Sequence, residues 1–256
     1  MSKLVGRSLP ITPYRRVVTD LMHFSRQVPS VTAERPMDLS DLIAARAASS
    51  PKPSWTVLFS KAYAIVSRDY PELRRSYLKC PWARLYEHPH SIAALNIERR
   101  LPNEDVVLFC LIRSPENRTL AEMDALVRYH RDEPIEKLRC FQKSVGLGRV
   151  PWPFRRWVWW TALNAIGRRR CHNFGTYSVS SIASQGAGLL NLVPILTSAL
   201  HYGLLEANGK LDMRITFDHR VMDGATVARV LVDLESALTR EMVRELTAPL
   251  PLRRAA

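Results

Sequence analysis

The 256-residue chain has no aspartate or glutamate between Lys137 and Leu205. The same interval holds Lys137, Arg139, Lys143, Arg149, Arg155, Arg156, Arg168, Arg169 and Arg170, within a formal net charge of +13. A positive field of this kind attracts phosphates, acidic proteins or anionic lipid surfaces. Nucleic acid ranks low, because no nucleic-acid-binding motif accompanies the charge. Cysteine is scarce: Cys80, Cys110, Cys140 and Cys171 lie far apart and make no C-x-x-C pair. That spacing argues against zinc and for reduced thiols, with no metal expected. Cys110, inside the apolar run Val106 to Ile112, reads as core. No apolar run reaches the length of a membrane span, and the opening residues lack the apolar stretch of a signal peptide. The expected location is cytoplasmic, with peripheral membrane contact left open. Neither a low-complexity linker nor an internal repeat divides the chain. The expectation is one α/β domain over 1–256, large enough to bury a core without staples.

What is present is a regular alternation of helix and strand signals. Thr12 can cap a helix that has Pro13 at its first position and Tyr14, Val17, Val18, Leu21 and Met22 on its apolar face. A strand over Ser30–Leu39, a short helix over Ser40–Ala48 and a strongly apolar helix over Trp55–Arg68 follow. Ile92–Ile97 and Val106–Ile112 read as strands. Thr119 and Glu122 form a capping box, opening a helix to about Arg131. A further helix is expected over Ile135–Val145, and strands over Phe174–Ser180 and Ile195–Tyr202. Asn208-Gly209 is a turn signal leading into the next strand.

That strand delivers the most informative residues. From Leu211 to Asp218, apolar Leu211, Met213, Ile215 and Phe217 alternate with polar Asp212, Arg214, Thr216 and Asp218. One face is buried. Beyond the motif, Val227, Val230, Leu231, Leu234 and Leu238 have the spacing of one helix face. His219 therefore stands where a strand turns toward a helix, and histidine is suited to accept and return a proton near neutral pH. Gly224 would allow a tight turn, and Asp223 could hold it by an ion pair with a nearby arginine. The plainer reading of a bare H-x-x-x-D-G is a surface turn with an incidental histidine. For His23, His130 and His201, which have no partner at ligand spacing, for His88 and His90, which flank Pro89, and for His172, which follows Cys171 in a basic segment, the plain reading of a surface or core residue is favoured.

The full octapeptide Asp218 to Ala225, Asp-His-Arg-Val-Met-Asp-Gly-Ala, resembles the signature of the catalytic domain of 2-oxo-acid dehydrogenase acyltransferases, the dihydrolipoamide acyltransferases. Weaker likenesses support it in family order: Leu9 to Val18 resembles the opening helix, Gln27-Val28-Pro29 the step into the first strand, and Tyr70 to Leu73 a Val-Pro-Glu-Leu segment. Thr119 to Glu122 resembles Ser-Leu-Ala-Glu, and Gly175 to Ile182 resembles Gly-Thr-Phe-Thr-Ile-Ser-Asn-Leu. The likeness spans roughly 9–240, leaving 241–256 as a tail.

The resemblance implies a chloramphenicol acetyltransferase-like two-layer sandwich with a mixed, largely antiparallel sheet. It implies His219 as general base and Ser180 as the hydroxyl that stabilises the oxyanion, with Ser181 as the adjacent alternative. Asp223 and Gly224 would shape the site beside Asp218, and Arg220 would brace the loop. It implies a homotrimer, with histidine and serine from different chains, and a thioester donor such as coenzyme A or an acyl carrier. The acceptor would be a small thiol, hydroxyl or amine, or a lipid-like molecule. No tightly bound cofactor is expected. No lipoyl-bearing segment stands before the motifs, so a stand-alone acyltransferase is the leading expectation. A lipoamide acyltransferase serving a separate lipoyl protein and a non-catalytic assembly subunit are the rivals.

The resemblance has no counterpart for the basic, tryptophan-rich insert at 151–170. Its plain reading is a core helix with an arginine rim. Its functional readings are a lid over an acyl chain or a helix lying on an anionic membrane, with Arg155, Arg156 and Arg168 to Arg170 supplying charge at both ends.

Overall fold

The computed structural model describes residues 6–101, 104–190, 192–206 and 208–248, and of residue 184 the backbone alone. Helix α1 (Pro13–Ser25) starts where expected, because the Thr12 hydroxyl accepts from the Arg15 N–H at 3.1 Å. Then come β1 (Ser30–Asp38), α2 (Ser40–Ala48) and α3 (Trp55–Val66). A short hairpin that the sequence signals did not show, β2 (Arg75–Leu78) and β3 (Arg84–Glu87), precedes the long hairpin β4 (Ile92–Arg100) and β5 (Asp105–Arg113). The capping box of Thr119 and Glu122 is formed and opens α4 (Leu120–Asp132).

The helix expected over Ile135–Val145 is instead a 3-10 turn at Ile135–Lys137 followed by α5 (Arg139–Arg149). Helix α5 lies tightly on α1: a Cβ at Gly148 would fall 1.9 Å from the Pro13 carbonyl oxygen. The insert makes two helices, α6 (Trp152–Asn164) and α7 (Gly167–Phe174). Phe174 thus ends a helix rather than starting a strand, and β6 is confined to Tyr177–Ser180. Next are β7 (Ser198–Tyr202), β8 (Lys210–Asp218) and α8 (Gly224–Ser236). A π-helical turn over Ala237–Met242 leads to α9 (Val243–Thr247). The segment read as a tail is packed as far as Leu246: Met242 is buried, Leu246 lies against the core and Glu245 pairs with Lys61 of α3. Its remainder, 249–256, lies outside the described residues.

Six strands form one sheet in the order β1-β8-β7-β6-β4-β5. β1/β8, β8/β7 and β4/β5 pair antiparallel, while β7/β6 and β6/β4 pair parallel. The alternation of β8 resolves as expected: Leu211, Met213, Ile215 and Phe217 join the main core with Leu58, Phe59 and Tyr63 of α3 and Val227, Val230 and Leu234 of α8. The opposite face is polar along β8, whereas on β5 it shows Val107 and Phe109. Register places Ser180, His201, Arg214 and Glu34 side by side across four strands, and Arg214 pairs with Glu34. The architecture is the expected α/β sandwich, with a mixed sheet carrying helices on one face.

Candidate active site

The chain after β8 is fixed from several directions. Asp218 is 1% exposed and takes both arms of the Arg220 guanidinium, Nε at 2.9 Å and Nη2 at 2.7 Å, as well as the Arg220 backbone N–H at 3.0 Å. Arg220 also lies over the Tyr77 ring at 4.3 Å. A buried carboxylate that accepts three donors is compensated, and the forked geometry leaves the arginine one orientation. Arg220 therefore braces the loop. The His219 N–H donates to the Pro29 carbonyl at 3.0 Å, and the imidazole packs beside Phe217 with ring centres 5.7 Å apart. The His219 side chain remains 49% exposed.

Asp223 behaves differently from the expectation. It does not pair with an arginine, because Arg220 is already committed to Asp218. Its Oδ1 lies 3.5 Å from His219 Nδ1. That is beyond a good hydrogen bond. Gly224 also differs. It is the first residue of α8, its φ is outside the left-handed region, and a Cβ there would meet nothing within 4 Å. The turn does not require glycine.

The serines separate clearly. The Ser181 hydroxyl donates to the Tyr202 carbonyl at 2.9 Å and accepts from the Ala183 N–H at 3.1 Å, so it holds the chain leaving β6. The Ser180 carbonyl accepts from Nδ1 of the buried His201 at 2.8 Å, while the other ring nitrogen accepts from the Leu189 N–H at 3.0 Å. This arrangement needs a neutral imidazole, and burial lowers the His201 pKa accordingly. His201 is thus a core histidine with a positioning task that its sequence context did not show. Alternation along β6 places Tyr177 and Val179 in the core and turns Ser180 to the polar face.

Ser180 and His219 are not brought together within one chain. Through His201, Ser180 aligns with Arg214, four residues before the Asp218 end of β8. That separation is about 13 Å along the strand. Beside His219, Arg220 and Tyr77 line a cleft with Phe24, Lys79, Asn164 and Arg170. Arg170 is 4% exposed and donates to the carbonyls of Tyr77, Leu163 and Ile195, yet its Nε has no partner among the described residues. Arg170 therefore does not supply surface charge at the end of the insert. No cluster of potential metal ligands occurs among the described residues.

No protein-family model and no curated protein matches the sequence. Solved structures do match. A probable dihydrolipoamide acetyltransferase from Listeria monocytogenes superposes with a TM-score of 0.68 at 15% identity, covering 96% of this chain and 99% of that one. The cubic core of the pyruvate dehydrogenase multienzyme complex gives 0.67 at 18% identity, over 95% of each chain. The Azotobacter vinelandii dihydrolipoamide acetyltransferase, studied for the roles of a serine, a histidine and an asparagine in its catalytic mechanism, gives 0.66 at 18% identity over 95% of each. The fold is that of the dihydrolipoamide acyltransferase catalytic cores. At these identities the comparison speaks to architecture, and the chemistry rests on the residues.

Proposed function

We propose that the protein is an acyltransferase with His219 as general base. The carrying observation is the half-exposed imidazole on a turn held by the Asp218–Arg220 pair, with Asp223 Oδ1 3.5 Å from its Nδ1. With Nδ1–H toward Asp223, Nε2 is left to take the proton of a thiol, hydroxyl or amine. The freed nucleophile attacks the thioester carbonyl carbon, and the carbonyl oxygen becomes an oxyanion. Collapse expels the thiolate, which takes the proton back from His219. Asp223 stabilises the imidazolium between these steps. It stands four positions after His219, the same spacing as the asparagine and histidine named for the Azotobacter vinelandii enzyme.

Ser180 is the oxyanion donor in this reading, supported by the engagement of Ser181 elsewhere. Because Ser180 is remote from His219 in one chain, the site is completed by a second copy, most simply in a homotrimer. The donor is a diffusible acyl thioester such as acyl-coenzyme A. Lys79 lines the cleft beside Arg220 and supports a phosphate-bearing donor.

The test incubates the protein with a panel of acyl-coenzyme A thioesters and small acceptors, with products read by mass spectrometry. His219→Ala should lower turnover by about 10²–10⁴-fold without unfolding the protein, and Ser180→Ala by roughly 10²–10³-fold. Mixing the two inactive chains should restore part of the activity. An unimpaired His219→Ala protein would sink the mechanism. Transfer from a separate lipoyl domain alone would establish a lipoamide acyltransferase, and absence of transfer from every donor would leave an assembly subunit.

A further inference from the structure

Helix α6 is built inside out. Arg155 is 5% exposed and, with Arg156, points inward to Asp20 of α1, which is fully buried. The solvent side carries Phe154 at 65% exposure, Trp157 at 67%, Val158 and Trp160. Thr161 also lies on this side, but its hydroxyl is turned back to the carbonyls of Trp157 and Val158, both at 3.0 Å. Of the aromatic residues only Trp159 is buried, stacked between Phe24 and Phe174. A surface helix ordinarily has the reverse pattern. Neither the core helix with an arginine rim nor a helix with Arg155 and Arg156 as surface charges describes it.

The apolar face continues past the helix. Ile166 is exposed, and the loop bearing the exposed Trp82 is tied to the end of α6 by Cys80 N–H to Asn164 O at 3.1 Å and Arg84 Nη2 to Ala165 O at 2.9 Å. Its margins are basic: Arg149 before the helix and Arg168 and Arg169 after it are all exposed. Contiguous exposed aromatics at this density mark an interaction surface.

We propose that this face docks on an anionic lipid surface. Tryptophan suits the boundary between acyl chains and headgroups, and arginines at the margin suit anionic headgroups. A second copy fits less well, since two such faces would bring their basic margins together across an interval that has no acidic residue. Docking would hold the cleft on the far side of α6 from the lipid, because Leu163 and Asn164 on the inner side of the helix line it with Arg220. The docking itself stands whether or not the acyl-transfer reading holds, since its readout is binding and not turnover.

The test is co-sedimentation of the whole protein with phosphatidylcholine vesicles, with and without phosphatidylglycerol. The protein should pellet with the anionic vesicles at low salt and less as salt rises. Changing Phe154, Trp157 and Trp160 to serine should leave it in the supernatant with unchanged melting and unchanged mass by light scattering. Arg168→Gln with Arg169→Gln should weaken binding by roughly fivefold per residue. If the triple variant melts early, single Trp157→Ser and the arginine pair carry the test. The proposal fails if the parent ignores all vesicles, or if the folded aromatic variants bind as the parent does. It also fails if the parent ignores vesicles while the serine variant loses mass, which would assign the face to contact between copies.

Discussion

Asp218 and Asp20 are both buried, both hold arginine, and produce opposite surfaces. Asp218 follows β8 and meets one guanidinium, so the buried pair is neutral, and its product is a turn that displays a single imidazole. Asp20 lies within α1 and meets two guanidiniums from α6, so positive charge remains at the pair, and its product is a helix that shows tryptophan to solvent. At the first site polar groups are ordered so that one of them stays available. At the second, the polar groups are consumed in anchoring and the apolar groups are what remains outside. The lesson is that an arginine-aspartate contact acts through which side chains it leaves exposed as much as through its own energy.

The largest stability effect should come from removing the anchor of α6. Asp20→Ala leaves Arg155 buried without a carboxylate, which should cost about 3–5 kcal/mol in chemical denaturation. Asp218→Ala should cost less, about 1–3 kcal/mol, because Arg220 is 23% exposed at its side chain and can turn to water. Its larger effect should be on turnover, through the loosened His219 turn. A reversal of that order would break the comparison.

The neighbouring tryptophans sharpen it. Trp159→Ala should cost about 3–5 kcal/mol, whereas Trp157→Ser should stay within ~0.5 kcal/mol. Equal losses would show that Trp157 is covered in the assembled protein.

A more gradual effect is expected on pH dependence. Burial lowers the pKa of His201 below its ordinary value of 6.5. The unfolded chain therefore binds the proton more readily, so stability is full above 6.5 and falls as pH drops below it toward the folded value. For one proton the slope is at most about 1.4 kcal/mol per pH unit. His201→Gln should flatten the acid side of a stability profile, and an unchanged profile would place the titration elsewhere.

Local signals in the chain carried far. The Thr12 and Thr119 caps, the alternation of β8 and the helix-face spacing after Gly224 are each set by residues a few positions apart, and they appear in the structure where the pattern put them. The octapeptide located His219 between strand and helix for the same reason. The hairpin β2–β3 leaves no signal along the chain because its four-residue strands are too short to show a period. The pattern could not show that Asp223 lies beside His219 and not beside an arginine, because Arg220 is held by the buried Asp218.

By itself the sequence determined the capped helix starts at Thr12 and Thr119, the buried face of β8, the absence of acids over Lys137–Leu205 and the candidate base. All of these depend on neighbours in the chain. Only the tertiary structure decided that Arg155 turns in and Trp157 out, that His201 holds Ser180, and that Ser180 and His219 stand apart in one chain. The reason is physical: Asp20 is 135 residues from Arg155, and strand order comes from pairing across the sheet. Periodicity along the chain marks that a helix has two faces, but which face is buried depends on what arrives to cover it.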